Sequence, residues 1–128
     1  METLITQGVE INVETYYQQG YAQQGNNEHV FAYRITITNH NPFIIQLLSR
    51  KWKITDSNRS IRLVEGEGVV GRQPVLYPND SYQYISGVNF DTPIGKMEGS
   101  YTFENKGNGS FFDALVPAFK MEAPVVLN

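Results

Sequence analysis

The sequence predicts an all-β fold: an antiparallel sandwich of about eight strands, in one domain over residues 1–128. Three observations predict it. Apolar and polar residues alternate along most of the chain, the period-two pattern of strands that bury one face. Clusters of Asn, Asp, Gly and Pro interrupt that alternation about every 8–12 residues. No stretch sustains a 3.6-residue apolar period, so no helix longer than a turn is expected.

The elements follow in order. Val9 to Tyr17 places Val9, Ile11, Val13, Thr15 and Tyr17 on one face, a half-buried strand. Gln18 to Asn27 is rich in Gln, Gly and Asn and reads as a loop. His29 to Thr38 is the next strand, with Phe31, Tyr33, Ile35 and Ile37 toward the core. Asn39-His40-Asn41-Pro42 turns the chain. Phe43 to Ile54 resumes extended structure with Leu48, Trp52 and Ile54 on one face. Arg50, two residues from Trp52, shares that face, at a rim or in an internal pair. Asp56-Ser57-Asn58 leads back into Ile61 to Val64. Pro78-Asn79-Asp80 is a turn before Ser81 to Val88, where Tyr82, Tyr84 and Ser86 alternate against Gln83 and Ile85. Asp91 to Gly95 turns again, and Lys96 to Glu104 aligns Met97, Gly99, Tyr101 and Phe103. Asn105 to Gly109 makes a hairpin loop before Ser110 to Val116. Pro117 then separates a last short strand around Phe119 and Met121. The arrangement fits an immunoglobulin-like or fibronectin-III-like sandwich, with a closed barrel as the rival.

Composition narrows the function classes. The 128 residues are 41% hydrophobic, enough for one core. A net charge of −3 argues against a general nucleic-acid or anionic-membrane binder. There is no cysteine, hence no disulfide, thiolate site or cysteine nucleophile. Met1 to Gly8 lacks the basic and apolar regions of a signal peptide, and no apolar run approaches the ~18 residues of a membrane span. A soluble, cytoplasmic protein without membrane insertion is expected.

Leu63 to Gly87 contains Gly66-x-Gly68-x-x-Gly71. A dinucleotide fingerprint of that form needs a helix immediately after it. Here Pro74 and Pro78 follow, among β-favouring Val69, Val70, Val75, Tyr77, Tyr82 and Tyr84, so the context is wrong. Two readings remain. The glycines permit positive φ or a close backbone approach at a bend. Alternatively they form an anion-binding nest of amides beside Arg72, although Glu65 and Glu67 would repel a phosphate.

Leu47-Leu48-Ser49-Arg50-Lys51-Trp52-Lys53-Ile54-Thr55-Asp56 resembles a strand signature of the ApaG family. So do Glu65 to Pro74, Tyr84-Ile85-Ser86-Gly87 and Asp91 to Tyr101, in order over nearly the whole chain. The family usually carries an acidic or polar residue where Arg72 stands, and Pro-Gly-Glu where Pro78-Asn79-Asp80 stands. The resemblance implies a fibronectin-III-like sandwich with no established catalytic activity. It also implies an association with cobalt and magnesium efflux, and genetic proximity to a diadenosine tetraphosphate hydrolase. In eukaryotic F-box and polymerase-associated proteins the domain looks like an interaction module.

The chemistry-bearing residues are sparse. His29 and His40 stand at opposite ends of one strand, roughly 36 Å apart at ~3.3 Å per residue, too far to share an ion. His29 reads as a solvated strand end and His40 as a turn residue. Ser86-Gly87 lacks the glycine and histidine of a nucleophile elbow. Asp56, Asp91 and Asp113 fall at turns and strand edges, where Asp serves local hydrogen bonds. A non-enzymatic interaction domain is therefore expected, without cofactor, metal or nucleic acid. Its partner would be a protein, or a second copy joined through strand edges. Trp52, Arg50, Arg72 and Phe111-Phe112 are interface residue types, with Trp52 expected in the core and only one of the two phenylalanines facing inward. The ligand- or partner-binding residues expected are Arg50, Gly66, Gly68, Gly71, Arg72 and Gln73, the last five forming the alternative small-anion or dinucleotide sensor.

Overall fold

A computed structural model describes residues 1–18 and 29–124. The expected loop Gln18 to Asn27 lies, beyond Gln18, outside the described residues. Nine strands follow one another: β1 Glu2–Thr6, β2 Val9–Tyr17, β3 His29–Asn39, β4 Ile45–Asp56, β5 Ile61–Glu67, β6 Val75–Leu76, β7 Ser81–Phe90, β8 Ile94–Asn105 and β9 Phe111–Glu122. All pairings are antiparallel. One sheet runs β1-β2-β3-β7 and the other β5-β4-β8-β9, with β6 also paired to β4. This is the immunoglobulin/fibronectin-III-like sandwich that alternation and turn spacing predict. No described helix is long and apolar enough to cross a membrane.

The inward faces interdigitate into one core. Trp52, 5% exposed, lies at its centre, edge-on to Tyr33, Tyr101 and Phe119 at 5.8–6.1 Å between ring centroids. Phe112 packs on Phe103 while Phe111 faces solvent, as alternation requires. His29 is half-buried with its Nδ1 shielded from solvent, a correction to the solvated position expected of it.

Four departures from simple alternation matter. Glu2–Thr6 is a strand, pairing with Val9 to Val13 across the tight turn at Gln7-Gly8. Val75–Leu76 is a short strand beside Ile45 and Gln46. Pro117 does not split the last strand, because the β8–β9 register shifts between Met97 and Gly99 and a bulge takes up the missing N–H. In β4 the register shifts between Leu47 and Ser49, so Leu48 is an extra residue. The inward face thereby changes from Ile45 and Leu47 to Arg50, Trp52 and Ile54. Leu47 is fully buried, and Leu48, expected beside Trp52, is only half-buried.

The two long sides of the sandwich differ. On one, β1 lies against β9, and the Leu115 N–H donates to Thr6 Oγ1 at 2.7 Å. On the other, outer strands β5 and β7 part to leave a cleft between the sheets.

Candidate functional site

The glycine stretch forms one wall of this cleft, and each glycine has a separate steric cause. Gly66 lies directly across from Arg50 in the β4–β5 pairing. A methyl there would come within 2.9 Å of both Arg50 Nη atoms, so its absence lets the guanidinium lie over the strand. Gly68 has φ +63°, and a Cβ would collide with the Arg72 carbonyl. Gly71 has φ +76° with open space around it, so only its backbone conformation calls for glycine. Val69 and Arg72 exchange N–H···O bonds of 2.8 and 3.0 Å across Val70 and Gly71. Positive φ at both central residues makes this a type I′ hairpin turn.

The same corner repairs the β4 bulge. The Leu48 carbonyl, outside the regular ladder, accepts from the Gly68 N–H at 2.8 Å and from Gln73 Nε2 at 2.9 Å. The chain then returns as β6 on the same side of β4. The amides of Gly68, Val69 and Arg72 are thus directed at protein carbonyls.

Arg50 is the charged group at the centre of the arrangement. Its Nη1 donates to the carbonyls of Glu67 and Gly68 at 3.0 and 2.9 Å. The cleft it faces has a volume of about 390 Å³ and includes Trp52, Val64, Tyr84, Ser86 and Val88 in its lining. Arg62 stands at the mouth and bridges from β5 to Asn89 on β7, donating to its backbone carbonyl and side-chain oxygen. Among the described residues, neither Asp nor Glu lines the cleft. Deeper in, the Tyr84 and Tyr101 hydroxyls hydrogen-bond across the two sheets. Burial pushes both hydroxyls well above the usual phenol range, against a lowering effect of the Arg50 charge. Tyr33 is also raised by burial, with its bond to Ser86 and Arg50 acting the other way. The tyrosines therefore remain neutral around a cation.

The structure brings Arg50, Gly66 and Gly68 together from the predicted set. Gly71, Arg72 and Gln73 lie on the outer corner, and Arg72 is exposed and does not line the cleft. Arg62 and Ser86 were not singled out as site residues. Arg62 shares its strand face with Val64, so its spacing carried the signal.

Outside the cleft, the Asp56 carboxylate binds the turn joining β7 to β8, accepting from the Asp91 N–H at 2.7 Å and from the Thr92 hydroxyl. Burial pushes this carboxyl up, but the Thr92 hydroxyl and the Asp91, Ser57 and Thr92 amides outweigh it and hold it below the usual range. Its role is local fastening. His40 pairs with Glu10 at 3.0 Å, and among the described residues no three His, Asp or Glu come together as a metal site.

The ApaG domain model matches residues 19–105, about two thirds of the chain. This chain belongs to the ApaG family. Protein ApaG of Rhizobium meliloti (strain 1021) is 41% identical over 97% of this chain and 95% of that one. Among solved structures, the structural-genomics target SoR45 is 36% identical with a TM-score of 0.87, covering 98% of this chain and 94% of that chain. A Bordetella pertussis protein described as ApaA is 35% identical with a TM-score of 0.86, covering 92% of this chain and 95% of that chain. The resemblance carried by Leu47 to Asp56 and Glu65 to Pro74 is thereby established. In this ApaG-family chain those two segments are the paired strands and corner that build the cleft wall.

Proposed function

We propose that this ApaG-family chain is a non-enzymatic interaction domain that receives an extended segment of a partner protein along β5. The observation carrying this reading is the state of that strand. Among the described residues it is paired on one side only, to β4, and its apolar side chains stand in solvent: Leu63 is 76% exposed and Ile61 55%. Leu63 and Leu115 border a groove of about 520 Å³ on the outer face of the sheet, flanked by Lys51, Lys53, Glu65 and Glu98. An added strand would take hydrogen bonds from the β5 main chain and seat alternate apolar side chains in this groove. A second copy of the chain could use the same edge. The cobalt and magnesium efflux association of the family is read as contact with another protein in the cytoplasm, since the described residues gather no ion-binding cluster.

Crosslinking in the native cell tests the reading. The wild-type chain should capture one recurrent protein, Leu63→Glu should lose it, and Ile85→Glu on the other sheet should keep it. Equal capture by Leu63→Glu, or capture of nothing specific, overturns the assignment. A dimer in light scattering that Leu63→Glu abolishes would make the second copy the occupant.

A further inference from the structure

We propose that the cleft between β5 and β7 binds a small organic carboxylate. The carboxylate would sit on the unused edge of the Arg50 guanidinium, and the apolar body would lie against Trp52, Val64 and Val88. This site is separate from the outer groove and does not depend on the partner reading.

Arg50 carries the argument. The Leu48 bulge turns it onto the cleft-facing side of β4, where it is half-buried. Among the described residues no carboxylate pairs with it. Both Nη1 hydrogens are used on the Glu67 and Gly68 carbonyls, which fixes the guanidinium plane. Its Nε–H and Nη2–H groups, the edge that holds a carboxylate through two parallel bonds, have no acceptor among the described residues. Arg62 adds a second positive charge at the mouth.

The rest of the lining sets the ligand class. At about 390 Å³ the cleft is near the lower end of small-molecule sites. Trp52, Ile54, Val64, Val69, Val88 and Met97 supply its apolar wall, and Tyr33, Tyr84, Ser86 and Asn89 add polar groups beside it. A bare phosphate would need donors on every side, but the Gly68, Val69 and Arg72 amides point into the protein. A carboxylate needs only a flat fork at one end. The ring or chain behind it fills the apolar part.

Trp52 is the only tryptophan in the chain and lines the cleft, so its emission reports occupancy directly. Phenylacetate titrated into the full chain should change that emission saturably, whereas neutral 2-phenylethanol should not. Arg50→Lys keeps the charge but loses the fork, and should weaken binding at least about tenfold. Gly66→Ala should weaken it comparably, because the new methyl displaces the guanidinium at an ordinary backbone φ and leaves the urea midpoint near wild type. Arg62→Ala should weaken binding by a smaller factor. The proposal is overturned by the absence of a saturable response up to about 20 mM phenylacetate, on the order of the weakest useful affinities. It is also overturned by an equal response to the alcohol, by unchanged affinity in Gly66→Ala, or by displacement with inorganic phosphate at equal concentration.

Discussion

Val70→Asn should stabilise this protein, although it replaces an apolar residue with a polar one. Val70 occupies the first central position of the type I′ turn at φ +47°. The left-handed region costs an L-residue about 1–2 kcal/mol, and a β-branched side chain is among the poorest fits there. Asn followed by glycine is the preferred pair for this turn, so the substitution relieves most of that cost. Val70 is 62% exposed. Losing its remaining apolar contact costs roughly 0.5–1 kcal/mol on the scale of a fully buried valine. The net gain is about 0.5–1 kcal/mol, or roughly 2–5 °C in Tm for a domain of this size. Urea unfolding followed by Trp52 fluorescence measures it, with an unchanged m-value. Val70→Ala is the control: it removes the same contact but keeps an L-residue with little preference for positive φ. The reasoning fails if Val70→Asn is no more stable than Val70→Ala.

Three other outcomes are expected. Gly68→Ala should cost about 2–4 kcal/mol from backbone strain and collision with the Arg72 carbonyl, whereas Gly71→Ala, with open space, should cost only about 1 kcal/mol; paired urea midpoints decide between them. Asp56→Ala should cost about 1–3 kcal/mol at neutral pH, because it removes the acceptor of the Asp91 amide, while the Thr92 hydroxyl keeps the Ile94 carbonyl. Since the folded carboxyl is depressed, that contribution is complete above the unfolded value of about 3.9 and disappears as pH falls through the folded one; the gap between wild-type and variant midpoints should close in acid. Tyr33, Tyr84 and Tyr101 should resist ionisation above pH ~10 in absorbance titration, and stability should decline there toward their raised folded values, because the unfolded chain releases protons the native state retains.

The fold was legible because alternation and turn chemistry act locally, residue by residue. Val9 to Tyr17 and His29 to Thr38 fall where the pattern puts them, within a residue of β2 and β3. What escaped involves long-range pairing. Glu2–Thr6 is too short and polar to declare itself, and becomes a strand by pairing with β2. Leu47 and Leu48 are adjacent leucines, so composition cannot say which faces inward; the register with Phe103 and Thr102 decides it. The candidate site was half legible. Gly66-x-Gly68-x-x-Gly71 stood out, but each glycine answers a different local demand: the Arg50 guanidinium, the Arg72 carbonyl and a positive φ. Arg50 was recognisable from its even spacing with Trp52, whereas its carbonyl partners at Glu67 and Gly68 depend on a turn whose closure spacing does not reveal.

The bulge and the glycine corner are best understood as one device. A regular β4 with Leu47 inward would also place Ser49 inward and send Arg50 and Trp52 to the solvent face. One extra residue reverses this, giving the core its central indole but also an inward cation. The frees carbonyl at Leu48 then needs a donor, and the Gly68 amide and Gln73 side chain supply two. Bringing Gly68 that close leaves no room for its Cβ, and bringing Arg50 beneath β5 leaves none at Gly66. The spacing of Gly66, Gly68 and Gly71 thus follows from the geometry that turns an arginine toward the open side of a sandwich.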